Sequence, residues 1–210
     1  MSKSIAEELL AIEAVFLSPS KPFIWSSGIK SPIYCDNRLI LSYPKSRSKV
    51  EQALAEQIKK HYPDVEVLMG TSTAGIAHAA IVGDYLGLPM GYVRGSEKRH
   101  GRKNVIEGKL LPDQKVVVIE DLISTAGSVI NVVEAIRQQG GHVLGIASLF
   151  TYELTQGLER LKAHHVRNVS LATFSELIEV AVDNNYITNQ EAKRCVMFQQ
   201  NPTSSEWFEE

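Results

Sequence analysis

Residues 116–128 combine residue types and spacing that suit ligand binding and catalysis. Four apolar β-branched residues at 116–119 predict a buried strand of a parallel sheet. The adjacent carboxylates Glu120 and Asp121 end this strand, and a loop of small and hydroxylated residues leads from them into a helix. Loop amides and a helix N-terminus favour a phosphate, whereas carboxylates accept hydrogen bonds from sugar hydroxyls. The stretch therefore predicts a ribose 5-phosphate site; the alternative, an ordinary strand-to-helix turn, needs no paired acids.

A second small, hydroxylated loop at positions 70–75 opens another predicted helix. Its backbone amides could cradle a diphosphate, and taken alone it could equally be a helix cap. The other phosphate loop in the same chain favours the diphosphate interpretation.

Cationic residues are concentrated at positions 92–108. Within this segment Arg94, Lys98 and His100 offer a forked donor, a point charge and a titratable donor. Such a run is commonly an exposed charged hairpin. We interpret it as a lid that brings cations to a polyanion.

The elements that must position these loops alternate along the chain. Apolar residues at helical spacing predict a helix over 1–17, and Pro44 starts a second helix that runs to about His61. Further on, strands are predicted at 65–69, 90–93, 116–119, 142–150 and 166–172, helices at 73–86, 129–139 and 153–163, and helix caps at Ser175 and Thr188. This alternation predicts a parallel sheet covered on both faces, with ligands beyond the carboxyl ends of its strands.

Composition narrows the classes of function. The 210 residues suffice for one α/β domain, and the formal net charge of −2 gives no sign of a nucleic-acid partner. No apolar run approaches the roughly 18 residues of a membrane span. The N-terminal pattern is that of a helix and not of a targeting peptide, and Cys35 and Cys195 are expected to be reduced thiols. We therefore expect a cytoplasmic protein that binds neither nucleic acid nor membrane.

Three motifs carry a resemblance to a known family. The stretch at 116–128 resembles the phosphoribosyl-diphosphate (PRPP) motif of type I phosphoribosyltransferases. The order of Arg94, Lys98 and His100 before Ile-Glu-Gly at 106–108 resembles the catalytic loop of orotate phosphoribosyltransferases. The pattern Ser-Gly, Ser-Pro, Tyr, Asp, Arg at 27–38 is similar to the N-terminal hood of that family, which other phosphoribosyltransferases lack.

The resemblance implies a role for each matching position. Lys98 and His100 are the implied catalytic residues, and Thr71, Ser72, Thr73 and Ala74 form the implied diphosphate loop. The implied PRPP-binding residues are Arg94, Lys98, His100, Glu120, Asp121, Leu122, Ile123, Ser124, Thr125, Ala126, Gly127 and Ser128. Orotate is implied to meet Ser124 and the backbone of Tyr34 and Cys35.

The resemblance also implies an architecture and a reaction. The fold would be a type I phosphoribosyltransferase α/β core at 44–174, with an N-terminal hood at 1–43 and C-terminal helices and a tail at 175–210. The reaction would move the 5-phosphoribosyl group from PRPP to N1 of orotate, with Mg²⁺ held mainly by PRPP and water and not by a protein metal site. A homodimer that shares its catalytic loops between subunits is implied as well.

Several positions depart from the family pattern. Ser26 stands where some relatives have a lysine, and no lysine occurs in the diphosphate loop. Glu120 replaces a commoner Asp, and Ala126 replaces a Gly, so that backbone position must tolerate a Cβ. No residue at 150–153 clearly matches an arginine that grips orotate in some relatives.

Three alternatives remain open at this stage. A phosphoribosyltransferase for a purine or for uracil would share the donor site, although the hood argues against it. A PRPP-sensing regulatory protein that binds nucleic acid would be expected to have a basic face. A generic nucleotide-binding α/β protein would be expected to show Gly-x-Gly-x-x-Gly or a Walker lysine, and neither is present.

Overall fold

Short antiparallel strand pairs build the N-terminal part of the molecule. The structure is a computed structural model that describes residues 2–25, 28–95 and 105–208. The elements in order are α1 (Ser2–Ala11), β1 (Val15–Leu17), β2 (Phe23–Ile24), β3 (Lys30–Ser31), β4 (Ile33–Cys35) and a 3-10 helix (Asn37–Ser42). β1 pairs with β4, and β2 pairs with β3. The helix predicted over 1–17 is wrong beyond Ala11, because Glu13 takes a left-handed conformation (φ 55°) and β1 follows.

A six-stranded sheet forms the centre of the molecule. The remaining elements are α2 (Pro44–His61), β5 (Val67–Thr71), α3 (Ala74–Leu86), β6 (Met90–Val93), β7 (Ile106–Glu107), β8 (Lys115–Ile123), α4 (Gly127–Gln138), β9 (His142–Thr151), α5 (Thr155–Ala163), β10 (Asn168–Thr173), α6 (Phe174–Asp183) and α7 (Asn189–Gln200). The strand order is β10-β9-β8-β5-β6-β7, and every neighbouring pair is parallel except β6 with β7. The predicted parallel α/β sheet is confirmed, and the antiparallel edge strand β7 is an addition to it.

The apolar run at 116–119 is buried on both faces of the sheet. Val117 and Ile119 pack into one hydrophobic cluster with α1, α2 and α3, whereas Val116 and Val118 pack into another with α4 and α5. All four side chains are fully buried. Continuous apolar sequence is what a parallel strand covered by helices on both sides requires.

β8 continues beyond the point at which the sequence predicted its end. Glu120 and Asp121 lie inside the strand, because β9 keeps pairing with it as far as Ile123. The carboxylates therefore belong to the rigid sheet, and the loop starts only at Ser124.

The two terminal helices begin at capping boxes. Thr188 caps α7 as predicted, with Glu191 closing the box. The cap of α6 is Thr173 and not Ser175, because the Thr173 hydroxyl accepts from the Glu176 N–H while the Glu176 carboxylate accepts from the Thr173 N–H.

The C-terminal segment beyond α7 is mostly polar in sequence but is anchored by one buried ring. Trp207 is only 1% exposed and lies in the same hydrophobic cluster as α1 and α6. None of the helices in the described part of the chain is long and apolar enough to cross a bilayer.

Candidate functional site

The loop after β5 and the acidic pair of β8 are joined by a hydrogen-bonded contact. The Thr71 hydroxyl lies 2.7 Å from Glu120 Oε1 and 3.2 Å from the Ile119 carbonyl oxygen. Gly75 packs so closely against Ile119 that a Cβ there would collide with the strand backbone. The small residues of this loop thus allow it to lie directly beside the acids, at the carboxyl edge of the sheet.

The two adjacent acids occupy different environments. Glu120 is 5% exposed, and its Oε1 accepts from the Asp121 backbone N–H at 3.0 Å as well as meeting Thr71. Burial, and then the neighbouring Asp121 carboxylate, raise the pKa of Glu120 to about 8. Asp121 lines an open cavity instead. The pair therefore presents one carboxylate to a ligand and keeps the other within the structure.

The hood and the sheet meet at that cavity, which measures about 320 Å³. Its lining comes from the hood (Cys35, Asp36, Arg38), the loop after β5 (Thr73, Ala74) and β8 (Asp121, Leu122). Asn37, which is buried, fixes the junction by donating from Nδ2 to the Asp121 carbonyl oxygen at 2.7 Å.

Contacts among the hood residues hold their side of the cavity in place. Arg38 grips Asp36 with two hydrogen bonds of 2.6 and 2.8 Å, which lower the pKa of Asp36. Burial and the carboxylate of Asp121 raise the pKa of the Cys35 thiol, which disfavours the thiolate that a nucleophilic cysteine requires. The Tyr34 side chain is 41% exposed.

A second cavity of about 310 Å³ lies on the other side of the loop after β5. Thr71, Ser72, Arg94 and Ser128 contribute polar groups to its wall, together with Asn131 of α4. Arg94 Nη1 is buried, has no hydrogen-bond partner among the described residues and lies 3.6 Å from Glu107 Oε1. A buried guanidinium donor in a wall with three hydroxyls suits an anionic group such as a phosphate.

The loop at 124–128 is held from beneath by α5. Arg160 Nη1 donates to the Thr125 carbonyl oxygen at 2.7 Å, and Gly157 leaves just enough room for the Ser124 carbonyl. Ala126 has φ 59°, so this position is indeed left-handed and carries a Cβ where a glycine would be unstrained. α4 begins directly after it, which places a helix N-terminus at the loop.

The structure brings most of the predicted site residues together. Of these residues, the second cavity is lined by Thr71, Ser72, Arg94 and Ser128, and the first by Cys35, Thr73, Ala74, Asp121 and Leu122. Tyr34, Glu120 and residues 123–127 belong to the same strands and loop but line neither cavity. The Ser72–Thr73 peptide bond is cis. Lys98, His100 and Ser26 lie outside the described residues. No group of three or more His, Cys, Asp or Glu side chains within 2–25, 28–95 and 105–208 is placed to hold a metal ion.

Sequence reasoning missed three contributors to the site. Asn37 lies within the hood segment at 27–38, but no role was predicted for it from the sequence. Its position next to Asp36 was the one local signal that it could be hydrogen-bonded. Asn131 and Arg160 sit on helices where their types are ordinary surface residues. No local signal distinguishes them, since their roles depend on contacts between distant parts of the chain.

Comparison with known proteins relates the whole chain to one family. A model of the phosphoribosyl transferase domain matches residues 40–186. An orotate phosphoribosyltransferase of Bacillus cereus (strain G9842) is 56% identical over 208 residues, which cover 99% of this chain and 99% of the relative.

Solved structures share the architecture. The crystal structure of orotate phosphoribosyltransferase from Aeropyrum pernix matches with a TM-score of 0.70 and 30% identity, covering 83% of this chain and 97% of the other. Leishmania donovani UMP synthase matches with a TM-score of 0.81 and 25% identity over 94% of this chain, but over only 42% of its own longer chain. The predicted type I phosphoribosyltransferase fold is confirmed.

Proposed function

The chain belongs to the orotate phosphoribosyltransferases, and from this premise we propose how its site transfers the 5-phosphoribosyl group of PRPP to N1 of orotate. The products are orotidine 5′-monophosphate and diphosphate, in pyrimidine biosynthesis. The observation that carries the assignment of the site is the shared cavity, in which hood residues, the loop after β5 and Asp121 line one space.

The phosphoribosyl donor binds along the carboxyl edge of β8 and β5. Its 5′-phosphate occupies the loop at 124–128, where backbone amides and the N-terminus of α4 favour a phosphate. The ribose hydroxyls lie against the acidic pair, with Asp121 in the cavity and Glu120 behind it. Leu122 and Ile123 complete the motif as the strand residues that lead into the loop.

The diphosphate lies between the loop after β5 and the lid. Thr71, Ser72, Thr73 and Ala74 offer backbone amides and hydroxyls, and Arg94 offers the buried donor of the second cavity. Lys98 and His100, both outside the described residues, close over the diphosphate and assist its departure. Positioning and stabilisation of the leaving charge then supply most of the catalysis.

The nucleophile needs little activation. Orotate is anionic, so no strong general base is required, and the transition state has the character of a ribosyl oxocarbenium ion by analogy with glycosyl transfer. The family resemblance assigns the base to Ser124 and the backbone of Tyr34 and Cys35, and Cys35 lines the cavity between hood and sheet. Asp121 faces the same cavity and is therefore near the cationic sugar.

A magnesium ion fits this donor set. Asp121 and the neighbouring hydroxyls offer hard oxygen ligands, and the PRPP oxygens and water supply the remainder, as Mg²⁺ usually requires. When bound, the ion neutralises charge on the diphosphate. Members of the family generally use Mg²⁺, and we expect turnover to stop when a chelator removes it.

Assembly as a homodimer is supported by the outer face of α3. That helix begins right after the loop at 70–73, and its outward side chains include the 44%-exposed Tyr85, whose hydroxyl lies 3.2 Å from that of Ser48. The nearby Tyr43 is also exposed. These exposed rings offer surface to a partner subunit, and the sharing of the catalytic loop rests on the resemblance to the family.

A cytoplasmic location agrees with the cysteines. Both Cys35 and Cys195 are free thiols, and burial raises the pKa of Cys195 to about 12. Unpaired thiols are typical of proteins in reducing compartments.

The proposed reaction is tested by following the absorbance of orotate with PRPP and Mg²⁺. We expect loss of orotate, and no reaction when adenine, guanine, hypoxanthine or uracil replaces it. Asp121→Asn should abolish most of the turnover, whereas Asp113→Asn, which changes an exposed carboxylate in a remote turn, should leave it unchanged. Turnover of another base in place of orotate would refute the assignment.

A further inference from the structure

An unbroken series of aromatic contacts connects the C-terminal segment with the hood. Ring centroids lie 5.0 Å apart for Phe208 and Trp207, 5.5 Å for Trp207 and Phe198, and 5.7 Å for Phe198 and Trp25. Trp25 in turn lies 5.4 Å from Tyr152. Tilted and edge-to-face arrangements at these distances are favourable for aromatic pairs, so the series is a continuous packed path.

The hood end of this series contacts the backbone beside the base site. The Trp25 indole N–H donates to the Ile33 carbonyl oxygen at 3.2 Å, directly before Tyr34 in β4. Tyr152 is buried directly after β9, and its hydroxyl lies beside the backbone of Cys35. Two members of the series therefore contact the short strand whose backbone is assigned to orotate.

The other end of the series is held by the body of the protein. Phe198 is fully buried in α7, and Trp207 is 1% exposed. Lys30, which belongs to the hairpin strand β3, lies over the Phe208 ring at 4.3 Å. Phe208 thus contacts the hairpin, and Trp207 contacts Phe198, the residue of α7 that meets Trp25 of the hood.

We propose that the C-terminal aromatic residues Phe198, Trp207 and Phe208 position the orotate subsite by holding Trp25 and, through it, the backbone at 33–35. This inference rests on the proposed function, because it assigns those backbone groups to orotate. None of the residues at 71–74 and 124–128 is a member of this series. Loosening the series should therefore weaken binding of the base selectively and leave the phosphoribosyl donor largely unaffected.

Steady-state kinetics of three variants test this selectivity. Trp207→Leu interrupts the series, and Trp25→Phe retains a ring but removes the donor to Ile33. We expect both to raise KM for orotate about five-fold or more while KM for PRPP changes less than about two-fold, as loss of a contact to one substrate predicts. Trp207→Phe, which keeps an aromatic ring, should restore most of the orotate affinity.

Tyr62→Leu is the matched control. Tyr62 is a comparably buried ring, but its hydroxyl contacts the carbonyls of Ile146 and Arg167, toward the amino-terminal part of β9. It should lower thermal stability without separating the two KM values. A merely structural role of Trp207 would give that same pattern, and so would overturn the proposal.

The remaining outcomes also distinguish the two claims. If Trp207→Leu fails to fold, Phe208→Leu interrupts the series at its less buried end, and an unchanged KM for orotate there refutes the inference. If the parent enzyme turns over orotate and all series variants match it, only the inference fails. If the parent does not turn over orotate at all, the proposed function fails first.

Discussion

Glu120 and Asp121 are adjacent in sequence but have opposite surroundings. The sequence predicted two adjacent carboxylates at the end of a strand. In the structure the alternation of the strand directs Glu120 toward Thr71 and the interior, and leaves Asp121 at the cavity. The presence of two acids was predictable from residue types. Their different surroundings were not, because these depend on where β8 ends and on which residues of β5 lie beside it.

The burial of Glu120 predicts a pH-dependent contribution to stability. Its pKa is raised from the usual 4.5 to about 8, so between these values the native state holds a proton that the unfolded state releases. Stability therefore falls as pH rises through this window, by at most about 1.4 kcal/mol per pH unit from this group. Glu120→Gln cannot ionise and should avoid the loss.

Denaturant unfolding of the parent and of Glu120→Gln at pH 5, 6.5 and 8 measures this contribution. The variant should gain stability relative to the parent as pH increases. Glu159→Gln, which changes an exposed glutamate of α5, is the control and should show no such trend. Parallel profiles for parent and Glu120→Gln would show that Glu120 titrates normally.

Among the elements, α5 is the one whose role the sequence concealed. Continuous apolar residues predicted β8, and small residues after it predicted the phosphate loop, because both signals are local. Arg160 lies 35 residues from Thr125, and its pattern is that of an ordinary amphipathic helix. Contacts of this range cannot be inferred from periodicity, which is also why the strand β1 was mistaken for helix and β7 was not foreseen.

Removing the Arg160 contact should weaken binding of the phosphoribosyl donor. Arg160→Met keeps the length of the side chain but loses the bond to the Thr125 carbonyl. A hydrogen bond from a charged group contributes about 1.5 kcal/mol or more, here to holding the loop in one conformation. KM for PRPP should therefore rise by up to about ten-fold, with a smaller effect on KM for orotate.

Arg137→Met is a matched control for that variant. Arg137 also donates to a backbone carbonyl, that of His164 at 2.9 Å, but it sits at the far end of α4. Its KM values should match those of the parent. Equal effects of the two substitutions would indicate a general loss of helix packing and not a role at the phosphate loop.

At the scale of the whole molecule, the site lies between parts of the chain that are distant in sequence. The hood, the sheet and the C-terminal segment were each recognisable from local patterns, and the carboxyl edge of the sheet was predictable as their meeting place. Their packing was not, since Trp207 and Asn37 reveal their partners only in the folded state. The subunit interface could not be inferred from local patterns either, because it joins two copies of the chain.

Mixing two inactive variants tests the shared loop. If the loop of one subunit serves the site of its partner, a hybrid of Lys98→Ala and Asp121→Asn subunits contains one doubly altered site and one intact site. An equimolar mixture that exchanges subunits freely should therefore recover about a quarter of parental activity. A mixture no more active than either variant alone, despite subunit exchange seen by mass spectrometry, would show that each loop serves its own subunit.

A crystal structure with PRPP bound tests the central claim most directly. The donor should lie at the carboxyl edge of β8, with its 5′-phosphate about 3 Å from the amides of the loop at 124–128 and a ribose hydroxyl bonded to Asp121. Ordered PRPP bound elsewhere, with this loop and Asp121 free of it, would contradict the account.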